Sequence, residues 1–124
     1  MNTLYFDEIS IDKVMDGIER FPALNAFPEI DPAIFKKNIA WMQPFYEPAS
    51  QMILLSMHSY LIRTPTLNIL IDTCIGNDKN RTGQGPIYKK NEDVLSHWNN
   101  RKSSYIENLE SFGVSLESID VVMC

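Results

Sequence analysis

Residues Leu67 to Arg81 read "LNILIDTCIGNDKNR". Ile69, Leu70 and Ile71 form a short apolar run that stops at Asp72, and a thiol, Cys74, a glycine, Gly76, and a polar segment follow. A short run of this composition, closed by turn-forming residues, reads as a buried strand. A carboxylate at the mouth of such a strand has two physical uses. It can cap the strand end locally, accepting a backbone amide in an Asx-type turn. Alternatively, it can hold another group in place as a fixed hydrogen-bond acceptor.

Upstream, "QMILLSMHSYLIRT", Gln51 to Thr64, is the longest strand candidate. Met52, Leu54, Ser56, His58, Tyr60 and Ile62 fall on one face, and Ile53, Leu55, Met57, Ser59 and Leu61 on the other. Both faces are largely apolar, so the strand is expected to be covered on both sides. Pro65-Thr66 turns the chain, and Leu67 to Ile71 returns as an antiparallel partner that delivers Asp72 to the end of a hairpin. Further upstream, Asp31-Pro32 has the form of a helix start, an acceptor at the cap and proline in the first turn. Phe35, Ile39 and Met42 then recur on one helical face, and Pro44 ends it. "FPALNAFPEIDP", Phe21 to Pro32, carries three prolines and reads as an irregular loop. Tyr5 to Ile18 reads as a strand.

Downstream, Gly76 to Lys102 is polar and reads as a long loop, with a helical turn near Val94 to Trp98. Ser104 to Glu107 has the spacing of a capping box. Tyr105, Leu109 and Phe112 form the stripe of the helix it opens, and Gly113 is its stop. Val121 to Cys124, "VVMC", begins another β-branched strand, and the sequence stops inside it. The expectation is an amino-terminal piece of a larger domain, because natural termini are usually polar and exposed.

With 124 residues the chain has room for one small domain, taken as 1–124. Residues 1–50 form an amino-terminal strand, loop and helix extension, and 51–124 a hairpin, loop, helix and final strand. A formal charge of −5 argues against a nucleic-acid surface, which needs clustered Lys and Arg. No apolar run approaches the roughly 20 residues of a membrane helix, and no export signal opens the chain. Both cysteines, Cys74 and Cys124, are therefore expected as reduced thiols in the cytoplasm. The reactivity of Cys74 stays open, since nothing in the sequence marks its pKa. The two histidines, His58 and His97, have no zinc-motif spacing. His58 reads as a sheet-face residue and His97 as solvated, so no metal ligand and no catalytic residue is assigned to the chain itself.

Taken together, "LNILIDTCIGNDKNR" and "YIENLESFGVSLESIDVVMC" resemble the amino-terminal part of a metallo-β-lactamase-fold hydrolase, in the branch of quorum-quenching lactonase-like proteins. The resemblance runs from about Ile9 to Cys124. It is most specific at Ile71 to Arg81 and Phe112 to Cys124. It implies an α+β fold, the amino-terminal half of an αββα sandwich, with a mostly antiparallel sheet and covering helices. In that family an Ile/Val-Asp-Thr-Gly-like tetrad ends a strand. A helix follows, then a strand running into a Thr-His-x-His-x-Asp-His metal motif. Cys74 stands where the wider superfamily has glycine, which makes the backbone there less permissive. The larger departure is that every metal ligand of the family would lie beyond Cys124.

The resemblance gives Asp72 and Thr73 the role of orienting the metal loop, and Gly76 and Asn77 that of shaping the turn beside it. For the intact parent it implies two zinc ions, a metal-bound hydroxide nucleophile and a small ester or lactone substrate. This chain alone is then expected to bind no zinc tightly and to be inactive. The alternative is a non-catalytic small protein that forms a homo-oligomer through its unfinished sheet, since an open strand edge is a template for association.

Overall fold

The computed structural model describes residues 3–83, 85 and 89–124. Alternating apolar residues build two long strands, β2 (Ile9–Pro22) and β4 (Met52–Arg63), paired antiparallel from Ser10↔Arg63 to Pro22↔Met52. The strand expected over Tyr5 to Ile18 is in fact two. β1 (Leu4–Phe6) pairs antiparallel with the start of β2, and the chain turns at Asp7, which takes φ +54°. A two-residue strand, β3 (Tyr46–Glu47), pairs with the start of β4. After the Thr64–Leu67 turn, β5 (Asn68–Ile71) returns antiparallel to β4, as the hairpin reading expects. β6 (Val121–Met123) joins β5 in parallel, so the sheet runs β1-β2-β4-β5-β6 with β3 beside β4.

Phe21 to Pro32 is less irregular than its prolines suggest. β2 continues to Pro22, and Ala23–Ala26 forms one helical turn, α1. The next helix, α2 (Pro32–Met42), begins as expected: the Asp31 carboxylate accepts from the Ala33 amide at 2.9 Å. The segment from Gly76 to Lys102 contains a turn of helix, α3 (Glu92–Leu95), and a 3-10 turn at Ser96–Trp98, while residues 84 and 86–88 lie outside the described residues. α4 (Tyr105–Glu110) presents Tyr105 and Leu109 to the core. Its expected capping box does not form. Ser104 has φ −84° and ψ 27°, not the extended backbone that aims a hydroxyl at the first turn, and the Tyr105 amide donates to Ser103 Oγ at 3.4 Å. A capping box occurs instead between Ser115 and Ser118, around the 3-10 turn Leu116–Ser118.

Two apolar clusters hold the layers together. Val14, Leu61, Leu70, Tyr105, Leu109 and Val114 form one, and Ala23, Phe35, Tyr46 and Ile53 the other, where the Phe35 and Tyr46 rings stack at 5.1 Å. Full burial of each aliphatic side chain contributes about 1.5–3 kcal/mol. Ile53 and Leu61 share one parity along β4, so both clusters, with α1, α2 and α4, lie on the same face of the sheet.

Among the described residues no helix packs on the other face, whose residues are half-buried or exposed, so the cover expected on both sides of β4 is present on one side within the part of the fold described. Cross-strand register places Leu4, Ile11, Ile62, Ile69 and Val121 in one row across five strands, and Lys13, Tyr60, Ile71 and Met123 in the next. Leu4, Tyr60, Val121 and Met123 are exposed. No helix among the described residues is long and apolar enough to cross a membrane.

The register of β2 slips between Met15 and Gly17, a β-bulge centred on Asp16. Before the slip, buried residues fall at Asp12, Val14 and Asp16; after it the phase shifts by one and Glu19 is buried. The bulge therefore keeps three acids of one strand on the helix-covered face.

Candidate functional site

β5 ends at Ile71, and the Asp72 amide still belongs to the sheet, donating to the Met123 carbonyl of β6 at 2.7 Å. The chain then reverses sharply. Asp72 takes φ +65° and Cys74 φ +57°, with Gly76 at φ +77°. Asp tolerates the left-handed region because its carboxylate can bond locally, and Asp72 Oδ1 accepts from the Cys74 amide at 2.7 Å. This is the Asx-type turn of the local reading. Cys74 has no such compensation, and a non-glycine residue there costs about 1–2 kcal/mol. The position where the resemblance expects glycine thus adopts a conformation suited to glycine.

Ser59, fully buried in β4, ties this turn to the core. Its hydroxyl donates to the Asp72 carbonyl at 2.7 Å. With that proton committed, the Tyr105 hydroxyl at 2.5 Å and the Cys74 thiol at 3.4 Å must donate to the Ser59 lone pairs. Burial is the main cause that pushes the Cys74 thiol and the Tyr105 phenol above their ordinary values, and the nearby Asp16 and Asp72 carboxylates add to it. Burial thus disfavours the thiolate of Cys74, the form that acts as a nucleophile.

Beneath the turn lies a polar hub invisible to motif reading. The Asp16 carboxylate accepts from Arg101 Nη1 at 2.7 Å and from Ser103 Oγ at 2.6 Å, and the Ile75 amide approaches it at 3.4 Å. Arg101 also donates to the Asp16 carbonyl at 3.1 Å. Gly17 makes this possible, since a Cβ there would stand 2.8 Å from Arg101 Nη2. Asn77 exchanges two bonds with the Ser103 backbone, each at 2.9 Å. Asp78 donates its amide to the Arg101 carbonyl at 2.9 Å, and Arg81 bonds the Ile75 carbonyl. Residues 72–81 are therefore strapped to 99–103 and to the bulge in β2. Nearby, Glu19 lies 2.6 Å from His97 Nε2, and Asp12 pairs with Arg63 at 2.5 Å.

The predicted residues do not share one role. Thr73, Gly76 and Asn77 border an apolar cleft of about 270 Å³, closed by Leu70, Tyr105, Ile106, Leu109, Leu116, Ile119 and Val122. Asp72 does not line it. Thr73 and Gly76 also edge a polar hollow on the loop's other side. His58 sits as expected on the sheet face, 2.9 Å from Ser56 Oγ and edge-on to Tyr60. His97 is bonded to Glu19 and is not simply solvated. Sequence reading missed Asp12, Asp16, Glu19, Ser59, Arg63, Arg101 and Ser103. The available signal was "DKVMDGIE", Asp12 to Glu19, where Asp12 and Asp16 share strand parity with Val14.

A mixed, mostly antiparallel sheet with its helices on one face, and an Asp-Thr turn where β5 meets a parallel β6, define the metallo-β-lactamase fold over the part of it that this chain spans. The solved structures it matches make that specific. A probable metal-dependent hydrolase from Staphylococcus aureus matches with a TM-score of 0.64 and 22% identity, over 96% of this chain and 38% of that one. AidC, a dizinc quorum-quenching lactonase in complex with a product, matches with a TM-score of 0.61 and 17% identity, over 98% and 34%. The hydrolase AbOPH of the β-lactamase superfamily matches with a TM-score of 0.58 and 18% identity, over 97% and 33%. The chain therefore spans about a third of the length of these proteins. No protein-family model and no curated protein matches it.

The residues present do not fit the metal ions of such hydrolases. Among the described residues, no group of three or more His, Cys, Asp and Glu side chains converges to hold a metal. The buried acids already have partners: Asp12 with Arg63, Asp16 with Arg101, and Glu19 with His97.

Proposed function

We propose that this chain is the amino-terminal scaffold of a metal-dependent hydrolase acting on a small ester or lactone, inactive by itself. One observation carries the reading. The Asp72 amide bonds the Met123 carbonyl, so the carboxyl end of β6 lies directly beside the Asp72-Thr73 turn. In a longer polypeptide, a His-x-His-x-Asp-His segment following Cys124 would leave the sheet at that turn. Asp72 and Thr73 would then brace it, while Asn77, bonded to the Ser103 backbone, and Gly76, at φ +77°, shape the turn. Two zinc ions belong to that longer protein, and no step of hydrolysis is assigned to the side chains of this one. AidC, a dizinc lactonase, supports the substrate class and the metal.

The test is bound zinc and lactone hydrolysis, measured on the 124-residue chain. Neither stoichiometric zinc nor turnover is expected, and tight zinc with turnover would overturn the proposal. The coding sequence downstream of Cys124 supplies an independent check, with an in-frame His-x-His-x-Asp-His expected. A second reading, a non-catalytic protein that pairs through an open edge, draws on β6, whose three residues are all exposed.

A further inference from the structure

We infer that a cavity between α1, α2 and β3 is a binding site for a small aromatic carboxylate. The inference goes beyond the hydrolase reading and does not rest on it. The cavity has a volume of about 140 Å³, and Pro32, Phe35, Ile39, Tyr46 and Pro48 supply its walls. An apolar cavity of roughly 150 Å³ holds one benzene ring. The Phe35 and Tyr46 rings stack at 5.1 Å with an interplanar angle of 23°. Together with the prolines they present flat surfaces, which suit a planar ring better than a flexible chain.

Two polar groups at this cavity lack partners of their own. Tyr46 is only 7% exposed, yet among the described residues its hydroxyl makes no hydrogen bond. A buried phenol usually finds a partner. The Tyr46 oxygen is not sealed in the core, and the residue borders both this cavity and the hollow beside Pro44 and Pro48. Its O–H is therefore open to an acceptor that enters from outside. Lys36, exposed on α2, borders the same cavity, and its ammonium forms no ion pair among the described residues. Among the described residues no acid lines the cavity. The acids nearest in sequence are already engaged. Asp31 caps α2 through the Ala33 amide. Glu47, on the opposite face of β3 from Tyr46, is paired with Arg20 and Ser50. An apolar body flanked by one hydroxyl donor and one cation defines the ligand. It is a single ring bearing a carboxylate, which the phenol bonds and the ammonium neutralises.

The site is separate from the Asp72-Thr73 turn. Tyr46 pairs with Ile53 of β4, and Tyr60 of the same strand pairs with Ile71. At 3.3 Å per residue the two places stand about 23 Å apart along the sheet. They also rest on different apolar clusters.

Benzoate is the probe, titrated at neutral pH into the isotope-labelled 124-residue chain and followed by NMR. The amides of Phe35, Lys36, Ile39 and Tyr46 should shift along one saturable curve, with a Kd on the order of 1 mM for a ligand of about nine non-hydrogen atoms. Benzyl alcohol, a similar ring without the charge, should bind about fivefold more weakly. Lys36→Met keeps the apolar stem at an exposed position. It should weaken benzoate about fivefold and abolish its advantage over benzyl alcohol. Tyr46→Phe keeps the stacked ring and should weaken benzoate about fivefold through the loss of one hydrogen bond. Shifts that rise without saturation overturn the inference, as does equal binding of benzoate and benzyl alcohol. Unchanged benzoate affinity in either variant overturns it as well, and hexanoate binding as tightly as benzoate overturns the aromatic assignment. None of these outcomes bears on zinc content or lactone turnover, so failure here is distinct from failure of the hydrolase reading.

Discussion

Asp16→Ala removes the acceptor on which the hub depends. The Asp16 side chain is 1% exposed and that of Arg101 13%, so the substitution leaves a guanidinium nearly out of water without its carboxylate. Breaking a buried pair from one side costs about 3–5 kcal/mol. Glu19 Oε1, 3.9 Å from Arg101 Nη2, offers partial compensation and places the loss at about the lower end, 3 kcal/mol. Ser103 also loses an acceptor, although Asn77 Oδ1 at 3.1 Å can take its hydroxyl. With a urea m-value of about 1.5 kcal/mol/M, the unfolding midpoint should fall by about 2 M. Asp16→Asn keeps an acceptor for Ser103 and loses the charge, so about half that shift is expected. The double variant Asp16→Ala/Arg101→Met should lose clearly less than the sum of the two single variants, because the stranded charge is gone. An Asp16→Ala midpoint shift below about 0.5 M, or strictly additive losses, would refute the claim that this pair anchors the turn.

Three further outcomes are expected. Gly17→Ala should cost about 1–3 kcal/mol, because its Cβ meets Arg101 Nη2 at 2.8 Å, and the loss should shrink in an Arg101→Met background by urea unfolding. Leu109→Ala, at a fully buried position of the main cluster, should cost about 2–5 kcal/mol, read from thermal or urea unfolding. Stability should fall in alkali. Burial raises the folded-state pKa of Cys74 and Tyr105, so above the ordinary values of 9.0 and 10.0 the unfolded chain releases protons that the native state retains. The native state then binds more protons and the unfolding free energy declines with rising pH. Cys74→Ala should remove the portion that begins near 9.0, and a midpoint independent of pH across this window would contradict the assignment.

Local signals made much of the fold legible. Asp31 and Pro32 opened α2 because a side-chain acceptor and a fixed φ act within one turn. The β4–β5 hairpin followed from two apolar runs around Pro65. The failures share a different cause, because they depend on partners distant in sequence. Ser104 had the spacing of a cap but not the backbone angles, and Tyr105, the next residue, is buried in a cluster with residues far away in the sequence. The coverage of β4 could not be read from its own residues, since two apolar faces do not say which of them the helices of the same chain will cover. The hub joins Asp16 to Arg101 and Ser103 across more than eighty positions, and no spacing rule links them. Asp72 was found, and what the structure displays for it is the local turn; its bracing role remains a proposal that a longer polypeptide would test.

The parallel pairing of β5 with β6 carries a consequence for the order of folding. Residues 72–120 separate the two strands, and closing a loop of that length costs about 3–4 kcal/mol in chain entropy beyond a constant. α4 lies between them in sequence and rests on Val14 and Leu61. Once it docks, only residues 111–120 remain to be closed, and the entropic barrier falls by about 1.4 kcal/mol, roughly tenfold in rate. β6 should therefore join last, after α4 has shortened the loop left to close, and amide protons of this edge strand, Val121 to Met123, should be the first of the β4–β5–β6 ladder to exchange when Leu109 is truncated.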